Sequence, residues 1–402
     1  MSKKIELNNI LQSRDKENIV IKFQLKINDK SYTLEYKINT INSKLFFPLY
    51  ESFDCVVVTF LLHAMMYGYD FYSNYPISEK LYYNLTYNII PQLKKVNSKL
   101  HHTLINAPIT KFKSKNKLVA TGISCGIDSL TTIYEYSQLC EMEDYKLTHL
   151  VYFKAGAHDG QLGRYDKITE NKLFASQLEN AKNFCINNKY PLIIVDSNLN
   201  EIMSTVFGFT SYDRTHTLRN CGIMYLFQKD FAKYYYADTY GLDNFSINIY
   251  EDIAHYEKYL LPLLSNENIE FYSANKGMSR FEKTKLLTNF SQSYDNLLVC
   301  WMNGKNCGIC DKCIRTMVTL DILGKLDKYE KSFDVDNYLK NRKKYISKVI
   351  ALKNVDPFFH DIYLHMDNKF KMKKSVFYYI LYKFYALYKR VRKFGKKIIV
   401  YK

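Results

Sequence analysis

The N-terminal part of the chain alternates apolar and polar side chains with a period of two. In residues 17–38 this alternation is interrupted by the turn signal Asn28-Asp29-Lys30 and then resumes. Side chains on a strand point alternately to its two faces, so the pattern predicts a β-hairpin. The residues predicted to share one face are Ile19, Ile21, Phe23 and Leu25, followed by Tyr32, Leu34 and Tyr36.

Two helices are predicted after the hairpin. Residues 53–66 are apolar enough for a buried helix, and residues 78–90 form a second helical segment that Pro91 is expected to close. Together with the hairpin they predict an N-terminal α+β region over residues 1–105, whose role the sequence does not indicate. Residues 106–116 are polar, basic and proline-bearing, which predicts a linker.

Residues 117–325 alternate short apolar runs with helical patterns. Parallel strands need a crossover connection, usually a helix, so this alternation predicts an α/β fold with a doubly wound parallel sheet. The predicted strands begin at Leu118 and continue with residues 148–153, 191–196, 234–239 and 269–274, and the predicted helices include residues 168–187 and 218–229.

A C-terminal tail, residues 369–402, follows a predicted helical extension at residues 326–368. Apolar residues recur in the tail at steps of three and four, which predicts one apolar helical face: Val376, Phe377, Ile380, Leu381, Phe384, Leu387 and Val391. Basic residues surround this face, namely Lys383, Lys389, Arg390, Arg392 and Lys393. The pattern fits a helix on an anionic membrane surface, a helix packed on the core, or a nucleic-acid-binding arm.

Composition adds three constraints. The 402 residues are 47% hydrophobic and 24% charged, which is typical of a globular chain with a sizeable core. The tail holds twelve Lys or Arg and no Asp or Glu, so the net charge of +17 for the whole chain falls to +5 for residues 1–368. This small excess of positive charge argues against nucleic-acid binding by residues 1–368. The polar start and the absence of a long apolar run predict a cytoplasmic protein, with the tail as its one candidate for peripheral contact with the inner membrane face.

The segment after Leu118-Val119-Ala120 has the residues of an anion site. A buried strand leads into a loop with Ser124 and Gly126, and Asp128 and Ser129 begin a helical pattern. Backbone N–H groups of such a loop, together with a helix N-terminus, attract phosphate, and Asp128 could hold Mg²⁺ on it. The predicted nucleotide-binding residues are Ser124, Cys125, Gly126, Ile127, Asp128 and Ser129.

Four cysteines lie close together late in the chain: Cys300, Cys307, Cys310 and Cys313. Four thiolates in a compact loop suit a tetrahedral structural zinc ion, and Gly308 allows the tight turn between two of them. A [4Fe–4S] cluster and unligated core cysteines are the alternatives. Four cysteines this close together are more typical of a metal site in a reducing compartment than of a set of disulfide bonds.

The predicted nucleotide-binding segment resembles the S-G-G-x-D-S pyrophosphate loop of the PP-loop ATP pyrophosphatase superfamily, also called adenine nucleotide alpha hydrolase-like. The matching hexapeptide is Ser124-Cys125-Gly126-Ile127-Asp128-Ser129. The resemblance implies a HUP/PP-loop type of sheet and cleavage of ATP between its α and β phosphates. A substrate oxygen is adenylated in these enzymes, and a nitrogen or sulfur nucleophile then displaces AMP. The sequence departs from the family at Cys125, where glycine is commonest.

The combination of this loop with Cys300, Cys307-Gly308-Ile309-Cys310, Cys313 and Arg315 resembles the 7-cyano-7-deazaguanine synthase family. Arg219-Asn220 and the segment from Ser279 to Lys283 also resemble segments of that family, although Ser279 and Glu282 fit a helix capping box as well. Thr217-Leu218 replaces the family's usual Pro-Gly, which points to another substrate. The resemblance covers about residues 117–325 and implies catalytic roles for Asp128, Arg219 and Lys283.

The sequence therefore predicts a ligase that uses ATP, Mg²⁺ and Zn²⁺ to activate a small carboxylate for attack by ammonia or an amine. A PP-loop tRNA thiolase, with Cys125 or Cys221 as its cysteine, is one alternative. A non-catalytic nucleotide-binding protein of a surface-polysaccharide or defence pathway is the other. The sequence does not predict the oligomeric state or the acceptor.

Further candidates lie at predicted strand ends. His158, Asp159 and Arg164 follow the second predicted strand of the core, in a loop that could close over ATP. His216 precedes the Arg-Asn pair, and Asp238 lies near the end of the fourth predicted strand, where open α/β sheets bind their ligands.

Overall fold

The computed structural model describes residues 3–15, 18–158, 167–208, 211–249, 252–300 and 304–400, and only the backbone of Lys167 and residues 389–400. The chain forms two compact units. The first combines Met1–Ser124 with Thr132–Gly277, and the second combines Cys125–Thr131 with Met278–Lys402. The predicted boundaries at residues 105 and 117 do not coincide with the limits of these units.

The first unit is built on a mixed, mostly parallel ten-stranded sheet, whose strand order is β12-β11-β8-β9-β10-β3-β2-β1-β4-β6. A two-stranded sheet, β5-β7, accompanies it. The strands are β1 (Lys3–Arg14), β2 (Asn18–Ile27), β3 (Lys30–Ile41), β4 (Tyr69–Ser73), β5 (Ile77–Ser78), β6 (Ile105–Asn106), β7 (Ile109–Thr110), β8 (Leu118–Gly122), β9 (His149–Phe153), β10 (Leu192–Ser197), β11 (Phe231–Tyr236) and β12 (Glu270–Ser273).

The five strands β8 to β12 are parallel to their neighbours within this group, as the alternation of strands and helices predicted. β9 and β10 are almost continuously buried, which explains their uninterrupted apolar sequences. The chain moves from β8 to β9 and β10 in one direction and places β11 and β12 on the other side of β8. The strand order therefore reverses beside β8, and open α/β sheets bind ligands at such a point.

The predicted hairpin is confirmed as β2 and β3, which pair antiparallel with Ile27 opposite Lys30. Ile21 and Phe23 are buried, as the alternation predicted. β3 also pairs antiparallel with β10, placing Ile38 opposite Val195. Strands of the predicted N-terminal region therefore continue the same sheet as the predicted core.

The helices of the first unit include α1, which is buried on nearly every side, as the apolar sequence of residues 53–66 predicted. Pro91 does not end the second predicted helix. A wider π-helical turn, Leu85–Ile89, precedes Pro91 and accommodates its missing N–H, so the helix continues. The helices are α1 (Asp54–Tyr67), α2 (Glu79–Asn84), α3 (Ile90–Val96), α4 (Ile127–Tyr134), α5 (Lys167–Asn187), α6 (Leu199–Phe207), α7 (His216–Met224) and α8 (Glu257–Leu264), of which α4 begins in the second unit.

In the second unit the described residues form helices and no strand pairs. α10 begins directly after Cys310 and includes Cys313, and α11 packs against α12 and α14. The helices are α9 (Arg280–Leu287), α10 (Asp311–Ile322), α11 (Val335–Leu352), α12 (Pro357–Leu364), α13 (Asn368–Met372) and α14 (Val376–Val400). None of the described helices is both long enough and apolar enough to cross a membrane.

Candidate functional site

The predicted nucleotide loop follows β8 along the chain and leads into the first turn of α4. Gly126 O accepts hydrogen bonds from Leu130 N at 3.0 Å and from Ser129 Oγ at 3.2 Å, which fixes the start of the helix. Ser124 is exposed, whereas Cys125 and Ile127 are buried. The side chains of Cys125 and Ile127 are therefore directed into the protein. The backbone of Ser124 to Gly126 lies just before the N-terminus of α4.

Cys125 has a backbone φ of 57°, in the left-handed region that favours glycine. Glycine is the commonest residue at this position of the pyrophosphate loop that the sequence resembles. The backbone of Cys125 has the conformation that glycine adopts most easily. Cys125 O accepts a hydrogen bond from Leu298 N at 2.8 Å, so the segment before the cysteine cluster holds the loop.

Asp128 and Lys283, both predicted as site residues, are brought together in the second unit. Lys283 Nζ donates to Asp128 Oδ1 at 3.2 Å, and Arg280 Nη2 lies 2.8 Å from Asp128 Oδ2. The Lys283 side chain is fully buried, and those of Arg280 and Asp128 are 15% and 18% exposed. A carboxylate held by two cations in a mostly buried position interacts more strongly than an exposed pair does.

The position of α9 explains how Arg280 and Lys283 reach Asp128. Ser279 Oγ accepts from Glu282 N, and the Glu282 carboxylate accepts from Ser279 N, which confirms the predicted capping box. Asp361 Oδ2 also accepts from Phe281 N at 2.8 Å. Sequence analysis did not single out Arg280, although it lies within the quoted segment, because its partner is far away in the sequence.

Two further cations, Lys312 and Arg315, lie on α10. The Arg315 guanidinium lies 4.1 Å from the centre of the Phe358 ring, and that of Arg280 lies 5.4 Å from the same ring. Burial and the neighbouring Arg280 lower the pKa of Arg315, while Asp356 and Asp128 oppose this shift. Lys312 reaches the surface, yet the atoms packed around it and the charges of Arg315 and Arg280 lower its pKa as well.

These four cations, Arg280, Lys283, Lys312 and Arg315, are here called the cation cluster. The nearby acidic groups are already bound elsewhere: Asp311 pairs with Lys348 at 2.5 Å, and Asp356 accepts hydrogen bonds from Phe358 N and Phe359 N. Asp128 is paired directly with two members of the cluster, Arg280 and Lys283. The four cations of the cluster therefore outnumber the one carboxylate paired with them. The cluster carries net positive charge, which an anion such as a phosphate group would compensate.

The four predicted metal ligands also come together, with all their Sγ atoms within 4.8 Å of one another. Cys307 and Cys313 are 3.9 Å apart, and Cys300 and Cys310 are 4.0 Å apart. Four thiolates around a zinc ion lie about 3.8 Å apart when each Zn–S bond is about 2.3 Å, so the group fits zinc. Hydrogen bonding from Cys313 lowers the pKa of Cys310 to about 5, which favours its thiolate form.

Asn306 supports the cysteine group and was not predicted. Its Oδ1 accepts from Val299 N at 2.9 Å and Cys300 N at 3.1 Å, and its Nδ2 donates to Leu297 O at 2.8 Å. Its position next to Cys307 was the only sequence signal for this role. Cys310 then caps α10, because its Sγ accepts from Cys313 N at 3.4 Å. The cysteine group therefore fixes the helix that carries Lys312 and Arg315.

Arg219, the third predicted catalytic residue, belongs to the first unit and is fully buried there. Its Nη1 donates to Ala155 O at 2.9 Å and to Asn200 Oδ1 at 3.0 Å, and its Nε donates to Thr215 Oγ1 at 2.8 Å. A side chain at Gly156 would place its Cβ 2.3 Å from Arg219 Nη1. The structure therefore gives Arg219 a role in holding the segment after β9.

His216, on the first turn of α7, lies between two groups that sequence analysis missed. Its Nδ1 lies 2.5 Å from Tyr236 Oη, and its Nε2 lies 3.0 Å from Asp252 Oδ1. Burial acts to raise the pKa of Asp252, but the hydrogen bond and charge of His216, together with the hydrogen bond from Ala254 N and the charge of His255, lower it overall. An imidazole oriented by a carboxylate in this way is suited to proton transfer.

The remaining candidates have structural partners. Asp238 is fully buried and accepts from Lys258 Nζ and from Ser273 Oγ. His158 is hydrogen-bonded to Tyr152 Oη at 3.1 Å, and burial lowers its pKa to about 4. Asp159 and Arg164 lie outside the described residues.

Fold and site together define a mixed α/β protein with a large, mostly parallel sheet and a four-cysteine group that could hold a metal ion such as zinc. Comparison of the chain with models of known protein families, with curated proteins and with solved structures finds no match.

Proposed function

We propose that the protein is an ATP-dependent ligase of the HUP/PP-loop type, which adenylates a small carboxylate and releases pyrophosphate. The observation that carries this proposal is the cation cluster around Asp128, which is the fifth residue of the predicted pyrophosphate loop. The reversal of strand order beside β8 supports it, because the loop follows the carboxyl end of that strand.

The chemistry assigned to the cluster is electrostatic. When a carboxylate attacks the α-phosphate of ATP, negative charge grows on the departing pyrophosphate. Lys283 and Arg280 are held in place before the reaction by Asp128 and by the capped start of α9, so they need little reorganisation to stabilise that charge. Lys312 and Arg315 add positive charge from α10.

Mg²⁺ would neutralise charge on the ATP phosphates when bound. Asp128 is the residue proposed to hold it, but both carboxylate oxygens are paired in this structure, Oδ1 with Lys283 and Oδ2 with Arg280. The more exposed partner is Arg280, so its contact with Oδ2 is the one that metal binding would replace.

Zinc, if bound by Cys300, Cys307, Cys310 and Cys313, has a structural role in this proposal. Four thiolates fill a tetrahedral zinc site and leave no position open for substrate. The thiolase alternative is less well supported, because burial raises the pKa of Cys221 well above that of a free thiol and so opposes formation of a nucleophilic thiolate.

Pyrophosphate exchange tests the proposal directly. The full-length protein is incubated with ATP, Mg²⁺, labelled pyrophosphate and fractions of a small-molecule cell extract. Reversible adenylation returns the label to ATP only in fractions that contain the acceptor carboxylate. Asp128→Asn removes the proposed Mg²⁺ ligand and the partner that holds Lys283 and Arg280 in place, and Lys283→Met removes a positive charge from the leaving-group site. Each variant is therefore expected to reduce exchange by at least roughly a hundredfold.

Lys331→Met is the matched control, because Lys331 pairs with Asp295 at an exposed position of the same unit. This variant should retain full exchange. Production of ADP and phosphate instead of AMP and pyrophosphate would overturn the proposal, and so would exchange that is unaffected by both Asp128→Asn and Lys283→Met.

A further inference from the structure

Helix α14 carries an apolar face that the structure leaves in contact with solvent. The six residues of this face, at steps of one, three and four, are Val376, Phe377, Ile380, Leu381, Phe384 and Leu387. Each is at least half exposed, and Phe377 and Phe384 are 71% and 69% exposed. Exposed apolar residues are common singly, but a contiguous row of large side chains on one helix face indicates a surface that binds something.

The other side of α14 is already packed. Tyr378 and Tyr382 lie against Lys344 and Lys348 of α11, with each ammonium nitrogen 5.6 Å from the centre of its ring. Ala386 is buried, and Ser347 on α11 bonds both the N–H and the C=O of Ser375 at the start of the helix. α14 is therefore docked on α11 through its tyrosine-bearing side, which leaves the apolar face directed away from that contact.

Charge narrows the choice of what covers the apolar face. Residues 369–402 contain twelve Lys or Arg and no Asp or Glu. A second copy of the chain would bring two strongly positive helices together, and their repulsion opposes that contact. Nucleic acid would satisfy the charges but would leave the aliphatic side chains Val376, Ile380 and Leu387 in water.

We infer that α14 lies on an anionic lipid surface, with its apolar face among the acyl chains and its basic residues near the headgroups. A helix with one apolar face, aromatic residues and surrounding lysines and arginines has the composition of interfacial helices. Anionic headgroups attract each nearby basic residue, and that attraction weakens with salt. The inference does not depend on the reaction that the first proposal assigns.

Sedimentation with vesicles tests this inference on the full-length protein. Vesicles of equal parts phosphatidylglycerol and phosphatidylcholine are expected to carry the protein into the pellet at low salt, and pure phosphatidylcholine vesicles are not. The variant Phe377→Asn/Phe384→Asn removes apolar area without changing charge, and should lower the partition coefficient by roughly tenfold or more.

A second variant changes charge and keeps the apolar face. Replacement of Lys389, Arg390, Arg392 and Lys393 by Gln should lower binding to the anionic vesicles by roughly tenfold or more. The matched control is Tyr83→Asn/Tyr87→Asn, which removes two exposed aromatic side chains from another helical segment and should bind as the wild type does. Circular dichroism and thermal unfolding verify that each variant is folded.

Three results would overturn the inference. The first is wild-type protein that stays in the supernatant with anionic vesicles at low salt. The second is vesicle binding that the Phe377→Asn/Phe384→Asn variant retains in full, since pure charge attraction would then explain it. The third is a wild-type dimer that this same variant converts to a monomer, because a second copy would then cover the apolar face.

Discussion

Lys283 and Asp128 are 155 positions apart in the sequence, yet the fully buried ammonium of Lys283 donates to the carboxylate of Asp128 at 3.2 Å. The pair joins α9 to the first turn of α4, and Arg280 holds the other oxygen of the same carboxylate. A buried ion pair of this kind is costly to break from one side, because the remaining charge stays in a poorly solvated place.

A double-mutant cycle on this pair should therefore show strong coupling. Asp128→Asn removes the charge that balances the buried Lys283 and is expected to lower the free energy of unfolding by roughly 3 to 5 kcal/mol. Lys283→Met should cost less, since Arg280 still pairs with Asp128. The double variant should lose clearly less stability than the sum of both single changes, as measured by denaturant unfolding.

The exposed pair of Asp295 and Lys331 provides the control cycle. Its coupling should be far weaker than that of the buried pair, because both side chains are well solvated. Additive effects at Asp128 and Lys283 would contradict the structural pairing.

Loss of one thiolate should remove the metal and loosen α10. Cys310→Ser is expected to reduce zinc from one equivalent per chain to well below it, and to lower the free energy of unfolding of the second unit by roughly 3 kcal/mol or more. Cys140→Ser is the control, since Cys140 lies outside the four-cysteine group. Elemental analysis and thermal unfolding measure both effects, and iron with sulfide in the purified protein would contradict the zinc assignment.

Because the backbone at Cys125 is left-handed, substitutions there should change the free energy of unfolding according to backbone preference and not only according to side-chain size. Cys125→Gly should keep the free energy of unfolding within about 1 kcal/mol of the wild type, because relief of strain offsets the lost burial of the thiol. Cys125→Val should lower it by about 2 kcal/mol, because a β-branched residue is poorly tolerated at φ 57°. Equal stability of the two variants in urea would argue against this backbone conformation.

His63 should make the protein sensitive to mild acid. Its ring is fully buried and stacked on Phe207 at 4.8 Å, and neither ring nitrogen has a hydrogen-bond partner within the described part of the chain. Burial, with a smaller effect of Arg219, lowers the pKa of His63 to about 3. The unfolded chain takes up a proton below about pH 6.5 and the folded chain does not, so stability is lost as the pH falls from there towards 3.

Between pH 7 and pH 5 this single group should cost about 2 kcal/mol of stability. His63→Phe should therefore flatten the pH dependence of urea unfolding by that amount, and the exposed His102→Phe should leave it unchanged. An unaltered pH dependence in His63→Phe would show that the ring is not held neutral by burial.

Periodicity and spacing determined most of the local structure. The β2–β3 hairpin, the buried helix α1, the strands β8 to β12 and the capping box at Ser279 follow from side-chain alternation, apolar runs and short-range hydrogen bonding. Short spacing also predicted that Cys307, Cys310 and Cys313 would lie together, because residues three positions apart cannot be far from one another in space. Pro91 was the local exception, since a π-helical turn accommodated it.

Tertiary structure decided what lies together across long separations. Only folding placed β3 beside β10, set Arg280 and Lys283 on the two oxygens of Asp128, and bound His216 to Asp252 and Tyr236. It also directed the tyrosines of α14 towards α11 and left the apolar face outside, although sequence periodicity alone allowed that face to pack inward. The physical reason is that a sequence pattern fixes which side chains share a face, whereas the partner of that face depends on packing, burial and charge balance across the whole chain.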